Sequence, residues 1–562
     1  MFKIRSLFKR KITALSLSLL TLGGLAPSAV KAAENIFFVY SPVIVSLPVE
    51  SLEKFAEDGT VDQNLGFYLN LAKVTPKEKA LFREALTKKV EIDPTLLSRS
   101  LNADIMQRLL DYFGSVINIR GGGNGKVLLR GALVQTAFSE EGLTLLGVLQ
   151  NLAVDIQVDV EKIIEYSEQI DLVVQGSEFF INEIIALEKK ESSSQETIDF
   201  SKRQDIRQVG ALDYRREILN LYDEKRDRKF YLDLYIPREL QGENVPVIIF
   251  SHGLSSRPED FAKRAIHLAS YGYVVAMPQH PGSDIIKTQD FLDGYTREIF
   301  ELNEFVDRPA DVSYVIDELQ RRNQSQFEGK LNVDEVGVVG HSFGGYTALA
   351  VAGATIDFKI LQRNCDLAIG NLNIALLLQC EALKLDQTKE YQFRDPRVKA
   401  VYVSNPVNAS IFNEQGLGQI TIPTFISAGS YDPATPFVFE QGRTFPFLNS
   451  DESYLQMQEG QAHVDFSELD IGISDFLNTV TNLTLPAPDL LDDYTNSMTY
   501  AFFQVHLRGQ KDFQDYLQAS YAEYLSQGQE FKTYLITDDS APELRQKYRE
   551  FIDRNLDLIL RK

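Results

Sequence analysis

Apolar positions along this chain change their rhythm near residue 200. Before that point they recur every three or four residues, the period of a helix buried along one face. The stretches "DVEKIIEYSEQIDLVV" and "SEFFINEIIALEKK" carry it most clearly. Thr75-Pro76-Lys77-Glu78 supplies an N-cap, a proline in the first turn and an N3 glutamate ahead of "KALFREAL". Asp93-Pro94 opens a further helix before "TLLSRSL". Residues 33–190 therefore read as a mainly helical domain. The glycine cluster "RGGGNGKV" inside it reads as a turn. A phosphate loop would put Ser or Thr after the lysine, where this chain has Val127, and would follow a clear strand. The polar, serine-rich run that begins "KKESSSQ" predicts a linker over 191–204.

After the linker, "REILNLYDEKRDRKFYLDLYIP" alternates apolar and polar positions around a charged turn, which predicts a β-hairpin. Short apolar runs then alternate with helical stretches. The runs are "VPVIIFSHG", "YVVAMPQH", "EVGVVGHS", "VKAVYVSNP", "IPTFISAGSYD" and "SYLQMQEGQAH". Buried strands separated by helices predict an α/β domain with a mostly parallel sheet over 205–485. A segment at 354–396 interrupts the alternation, and its apolar content suits either a pocket wall for an acyl chain or an extra helical layer with its apolar face simply packed. The stretch 486–562 is expected to be a helical extension.

Composition alters this picture at the start of the chain. Lys3, Arg5, Lys9, Arg10 and Lys11 precede the apolar run "ITALSLSLLTLGGLA", and Val30-Lys31-Ala32 fits a small-residue cleavage rule. Residues 1–32 read as a signal peptide, because the run is shorter than the ~20 residues of a membrane span. The expected location is outside the cytoplasm, periplasmic or extracellular, with no stable membrane span. The formal charge of −22 argues against nucleic-acid partners. Two cysteines, Cys365 and Cys380, are either a disulfide or two buried thiols, and an oxidising compartment favours the disulfide.

The candidate chemistry centres on Gly340-His341-Ser342-Phe343-Gly344, set between a strand and a helix. That context makes Ser342 a nucleophile lifted out of a tight turn. Serine needs a base. In the order nucleophile, acid, histidine, the acid falls on Asp432 after "PTFISAGSY" and the histidine on His463 after "YLQMQEGQA". His252, His267, His280 and His341 precede Ser342, the wrong order, and His506 lies in the tail. Oxyanion donors are expected at the backbone amides of Phe343 and of Leu254, which follows Ser251-His252-Gly253. His252 is expected to shape that loop rather than to move protons. No metal or organic cofactor is implied.

Together these residues resemble the α/β-hydrolase superfamily. "FSHGL" with "GHSFGG" looks especially like the platelet-activating factor acetylhydrolase-type serine esterases, over roughly 205–480. The resemblance implies a calcium-independent esterase for short-acyl or phospholipid esters, of the 1-alkyl-2-acetylglycerophosphocholine esterase kind. Some members carry the acid after the strand that here ends in Ser404-Asn405-Pro406, which offers no carboxylate, so the acid falls to Asp432. The front, from "AENIFFVYSPVIVSLPVESLEKFA", is similar to a domain of unknown function found ahead of exported cyanobacterial hydrolases. That similarity also fits a Cys365–Cys380 pair. The rival readings are a lipase or polyester hydrolase, a peptidase of the same fold, and a non-catalytic interaction protein on a hydrolase scaffold.

Overall fold

The structure is a computed structural model and describes residues 33–367, 372–463 and 485–560. The expected signal peptide at 1–32 lies outside the described residues. No helix among them is long and apolar enough to cross a membrane. The chain divides into two compact units: a front unit up to Asp171 that also takes in Gln289–Ile299, and a larger unit that begins at Leu172.

The front unit is mainly helical, as its periodicity predicts. Thr75 and Glu78 form the expected capping box, Thr75 accepting from the Glu78 amide and Glu78 from the Thr75 amide. Asp93 caps the next helix through the Leu96 amide. The unit also has a four-stranded sheet that helical spacing did not predict. Its strands are β1 (Asn35–Tyr40), β2 (Val43–Pro48), β3 (Ile117–Ile119) and β4 (Ile156–Asp159), in the order β2-β1-β4-β3. Leu52, Phe55, Leu86, Leu133 and Val148 fill the core beside it. Gly121, Gly122 and Gly123 form a turn with φ of 96°, 103° and 113°.

In the larger unit, nine strands among the described residues make one sheet. They are β5 (Tyr214–Asp223), β6 (Arg228–Pro237), β7 (Val245–Ser251), β8 (Val274–Pro278), β9 (Leu331–His341), β10 (Val398–Ser404), β11 (Thr424–Gly429), β12 (Ser453–Gln458) and β13 (Thr533–Thr537). The order is β5-β6-β8-β7-β9-β10-β11-β12-β13, parallel from β8 to β12 and antiparallel at both ends. The predicted hairpin is β5–β6. The central strands are buried on both faces, which explains their unbroken apolar runs. Strand order reverses at β7, whose neighbours are β8 and β9. Loops leaving adjacent strands in opposite directions open a crevice at their carboxyl ends.

Two stretches depart from their expected character. The helix Val160–Ser194 runs on through the start of the expected linker. The stretch 486–562 does contain helices, but Thr533–Thr537 joins the sheet beside β12. An added edge strand leaves unpaired backbone groups. Here Glu188 accepts from the Leu535 amide at 3.0 Å and Glu191 from the Thr537 amide at 3.0 Å, so helix carboxylates close the edge.

Burial lifts the Glu188 carboxyl to about 8 against the Leu535 amide, and Glu523 and Glu191 add to the rise. An acid with a raised folded pKa is held protonated by folding. Its contribution to stability is therefore present at low pH and lost as pH rises from the free carboxyl range through about 8. Glu188→Gln should flatten the fall in urea midpoint between roughly pH 5 and pH 8. An unchanged slope would show that Glu188 is not its source.

Candidate active site

Strand β9 runs straight into Ser342, and the helix Phe343–Ala352 leaves from it. Ser342 has φ 56° and ψ −117°, a backbone region that non-glycine residues occupy only when their surroundings force it. The forcing contacts are specific. The Ser342 amide donates to the Ser404 carbonyl at 3.0 Å, and its own carbonyl accepts from Val407 at 3.2 Å. A Cβ on Gly340 would lie 2.1 Å from the Gly344 carbonyl oxygen, and one on Gly344 would lie 1.9 Å from that of Ser251. The turn therefore closes only with glycine at both positions.

Asp432 follows β11 and His463 follows β12, and the sheet brings both to Ser342. His463 Nε2 lies 2.8 Å from Ser342 Oγ, and Nδ1 lies 2.7 Å from Asp432 Oδ2. Asp432 also accepts from the Ala434 amide at 2.8 Å, the Thr435 amide at 2.9 Å and the Thr435 hydroxyl at 2.7 Å. Burial alone would raise its carboxyl. The charge and hydrogen bond of His463, with the Thr435 amide and hydroxyl, outweigh burial and hold it below the usual carboxylate range. A carboxylate at Nδ1 fixes the tautomer that leaves Nε2 free to accept the serine proton. His341 Nε2 lies 2.9 Å from the His463 carbonyl oxygen and donates to it, anchoring the histidine's backbone. Burial drops the His341 imidazole to about 3, so it stays neutral.

Leu254 and Phe343 sit as the sequence predicts, after β7 and at the start of the elbow helix. Neither amide has a hydrogen-bond acceptor among the described residues. A Cβ on Gly253 would lie 3.3 Å from Ser342 Cβ, so the loop after β7 lies directly against the nucleophile. The arrangement can attack a carbonyl carbon from Ser342, pass the proton to His463, and offer two amides to the oxygen that becomes negative.

A second Ser–His–Asp relay lies behind this loop. Ser251 Oγ is 2.9 Å from His280 Nε2, and His280 Nδ1 is 2.9 Å from Asp311 Oδ2. All three are fully buried, so no substrate reaches this serine. Arg226 and Arg228 both donate to Asp311. Burial and nearby arginines push the His280 imidazole well down, and it acts as a neutral structural link. His252 donates from Nδ1 to the Gly253 carbonyl at 2.7 Å and accepts the His280 amide at Nε2, at 3.0 Å. It shapes the loop, as expected. Arg308, fully buried, donates to the His252 carbonyl at 2.6 Å and the Gly253 carbonyl at 3.2 Å. Burial lowers its guanidinium to about 10, still a cation at neutral pH.

Sequence reasoning missed Thr435, Arg308, His280 and Asp311. The spacing of Glu304, Arg308 and Asp311 was the available signal, since i, i+4 and i+7 share one helix face. All three side chains are fully buried. His267 and His506 stand elsewhere, bonded to the Ile206 carbonyl and near the Tyr454 hydroxyl. Cys365 and Cys380 form a disulfide with Cα atoms 6.0 Å apart. It ties the insertion helices Phe358–Cys365 and Ile374–Glu381 together. The insertion does line a cavity, of about 410 Å³, with Ile360, Leu367 and Leu376. None of Ser342, His463, Leu254 or Phe343 reaches that cavity. Leu377 and Leu378 are buried elsewhere. Residues 368–371 of the insertion lie outside the described residues.

Two family models match the chain. One described as "Alpha/beta hydrolase of unknown function (DUF1400)" covers residues 32–159, and one described as "Chlorophyllase" covers 223–369. The second includes Ser342 and Leu254 and stops before Asp432 and His463. Similar curated proteins are the platelet-activating factor acetylhydrolases of Canis lupus familiaris, Cavia porcellus and Bos taurus. They are 26%, 27% and 28% identical over 151, 150 and 153 residues. Each match takes in 21% of this chain and 34% of the relative, so it spans about a third of those proteins' length.

A fluorophosphonate should attach to Ser342 and to no other serine of the folded protein, with peptide mapping as the readout. Asp432→Asn should slow the labelling by roughly 10²–10⁴, because the histidine loses the partner that fixes its tautomer. Full-rate labelling of Asp432→Asn would remove Asp432 from the relay.

Proposed function

We propose that this chain, an α/β hydrolase by fold and by the family models it matches, is a serine esterase that cleaves carboxylic esters through an acyl-enzyme. The observation that carries the reading is the continuous relay from Asp432 through His463 to Ser342, with distances of 2.7 and 2.8 Å. Ser342 attacks the ester carbonyl while His463 Nε2 takes its proton. The Leu254 and Phe343 amides hold the oxyanion. His463 then returns the proton to the leaving alkoxide, leaving an acyl group on Ser342. Water, deprotonated by His463, releases the acid. Asp432 stays ionised throughout and stabilises the imidazolium.

The acetylhydrolase relatives support a short acyl group and a phospholipid or other lipid ester as substrate. The leader-like sequence at 1–32 supports action outside the cytoplasm, in the periplasm or the medium. The Cys365–Cys380 disulfide agrees with an oxidising compartment.

The test is a panel of p-nitrophenyl esters of increasing acyl length, short-acyl phospholipids, polyester particles and peptides, with Ser342→Ala as control. Short esters should be turned over fastest, and Ser342→Ala should lose roughly 10⁴–10⁶ of the activity while staying folded. Cleavage of peptides alone would favour a peptidase. Preference for long acyl chains or polyester would favour a lipase. No turnover of any class by folded protein would favour an interaction protein on a hydrolase scaffold.

A further inference from the structure

Arg308 touches both halves of the oxyanion pocket while lying outside it. From Nη1 it donates to the His252 carbonyl at 2.6 Å and from Nη2 to the Gly253 carbonyl at 3.2 Å. Across a planar trans peptide the C=O and N–H point in opposite directions. Pinning the Gly253 carbonyl toward Arg308 therefore turns the Leu254 N–H the other way, and pinning the His252 carbonyl does the same for Gly253. The second donor residue is held by the same group. The guanidinium carbon lies 4.5 Å from the centroid of the Phe343 ring, within cation–π range.

Arg308 is itself fixed. Its Nε donates to Ser283 Oγ at 2.8 Å, Ser283 donates to Glu304, and Glu304 lies 3.5 Å from Nε. A fully buried ion pair is a poor source of net stability compared with an apolar packing of the same volume. Five directional donors in one rigid plane are something no apolar side chain supplies.

We infer that Arg308 is the positioning residue of the oxyanion hole, one guanidinium that sets the direction of the Leu254 amide and the seat of Phe343 together. It touches neither substrate nor reacting atoms. Its effect is felt only once charge builds on the substrate oxygen, so it belongs to the transition state and not to ground-state binding. This inference rests on the esterase reading.

The experiment compares Arg308→Lys with the parent enzyme on p-nitrophenyl acetate and on a trifluoromethyl ketone. The ketone forms a tetrahedral adduct with the serine and so reports on the oxyanion hole. Lysine keeps the charge and cannot donate to two carbonyls and stack on a ring in one plane. The expected result is a loss of roughly 10²–10³ in kcat with a matching loss of ketone affinity, the size seen when one oxyanion donor is removed. KM should stay within about twofold of the parent value. A merely structural role would lower the amount of folded enzyme without changing the ketone affinity of what remains.

Should Arg308→Lys not fold, Phe343→Leu keeps the backbone donor and removes only the ring beneath the guanidinium. It should weaken kcat and ketone affinity together. Unchanged ketone affinity in the folded variant, or a rise in KM alone, would overturn the inference. Ser342→Ala separates the two levels. If it keeps turnover, the esterase reading fails. If it is dead while Arg308→Lys retains full kcat and ketone affinity, only the role of Arg308 falls.

Discussion

The close approach of Gly344 to the Ser251 carbonyl is the contact on which the site depends. A Cβ there would sit 1.9 Å from that oxygen, so the elbow helix can lie against the end of β7 only because position 344 has no side chain. That contact joins the turn after β9 to the loop after β7. It places the candidate nucleophile and one candidate oxyanion donor close together, and Ser342 in that turn has a positive φ. The strain is borne by the sheet. Ser404 accepts the Ser342 amide and Val407 donates to its carbonyl, so β10 and the loop after it hold the turn from the other side.

Two Ser–His–Asp relays of the same connectivity stand on opposite sides of the β7 loop, and burial separates their roles. At Ser342 the histidine side chain keeps some exposure and the acid is stabilised by amides, a hydroxyl and the imidazole. At Ser251 everything is sealed and the acid is bound by two arginines. The first arrangement leaves room for a proton to move with a substrate present. The second only fixes the loop. Helix Glu304–Gln326 supplies Glu304, Arg308 and Asp311 to this sealed side. Pro309 inside that helix cannot donate to the Phe305 carbonyl, and the Tyr346 hydroxyl of the elbow helix takes its place at 2.8 Å. The helix and the elbow are therefore joined by a bond the proline makes available.

The alternation of apolar runs and helices was legible because central parallel strands are buried on both faces, and each run from "VPVIIFSHG" to "SYLQMQEGQAH" became a strand. The elbow and the order of Asp432 and His463 were legible because local geometry demands glycine there and strand ends follow one another in sequence. Strand β13 was not, since "KTYLIT" is short and its pairing and caps come from residues some 75 to 347 positions away. The front sheet had a signal in the alternation of "NIFFVYSPVIVSLP", outweighed by the helical spacing around it. The spacing of Glu304, Arg308 and Asp311 marks one helix face, but charge in a sequence says nothing of which buried carbonyls and arginines will meet it. The serine-rich stretch to Ser194 stayed helical because Glu188 and Glu191 cap the sheet edge there.

In the proposed acyl-enzyme mechanism Ser342 carries the acyl group between two half-reactions. Acid-quenched peptide mapping after brief mixing with p-nitrophenyl acetate tests it most directly. The expected result is one acetyl group on the peptide that contains Ser342, formed at the rate of the nitrophenol burst and removed by hydrolysis as turnover proceeds. Steady release of nitrophenol with no acetyl on Ser342, or with acetyl accumulating on another residue at the burst rate, would contradict it.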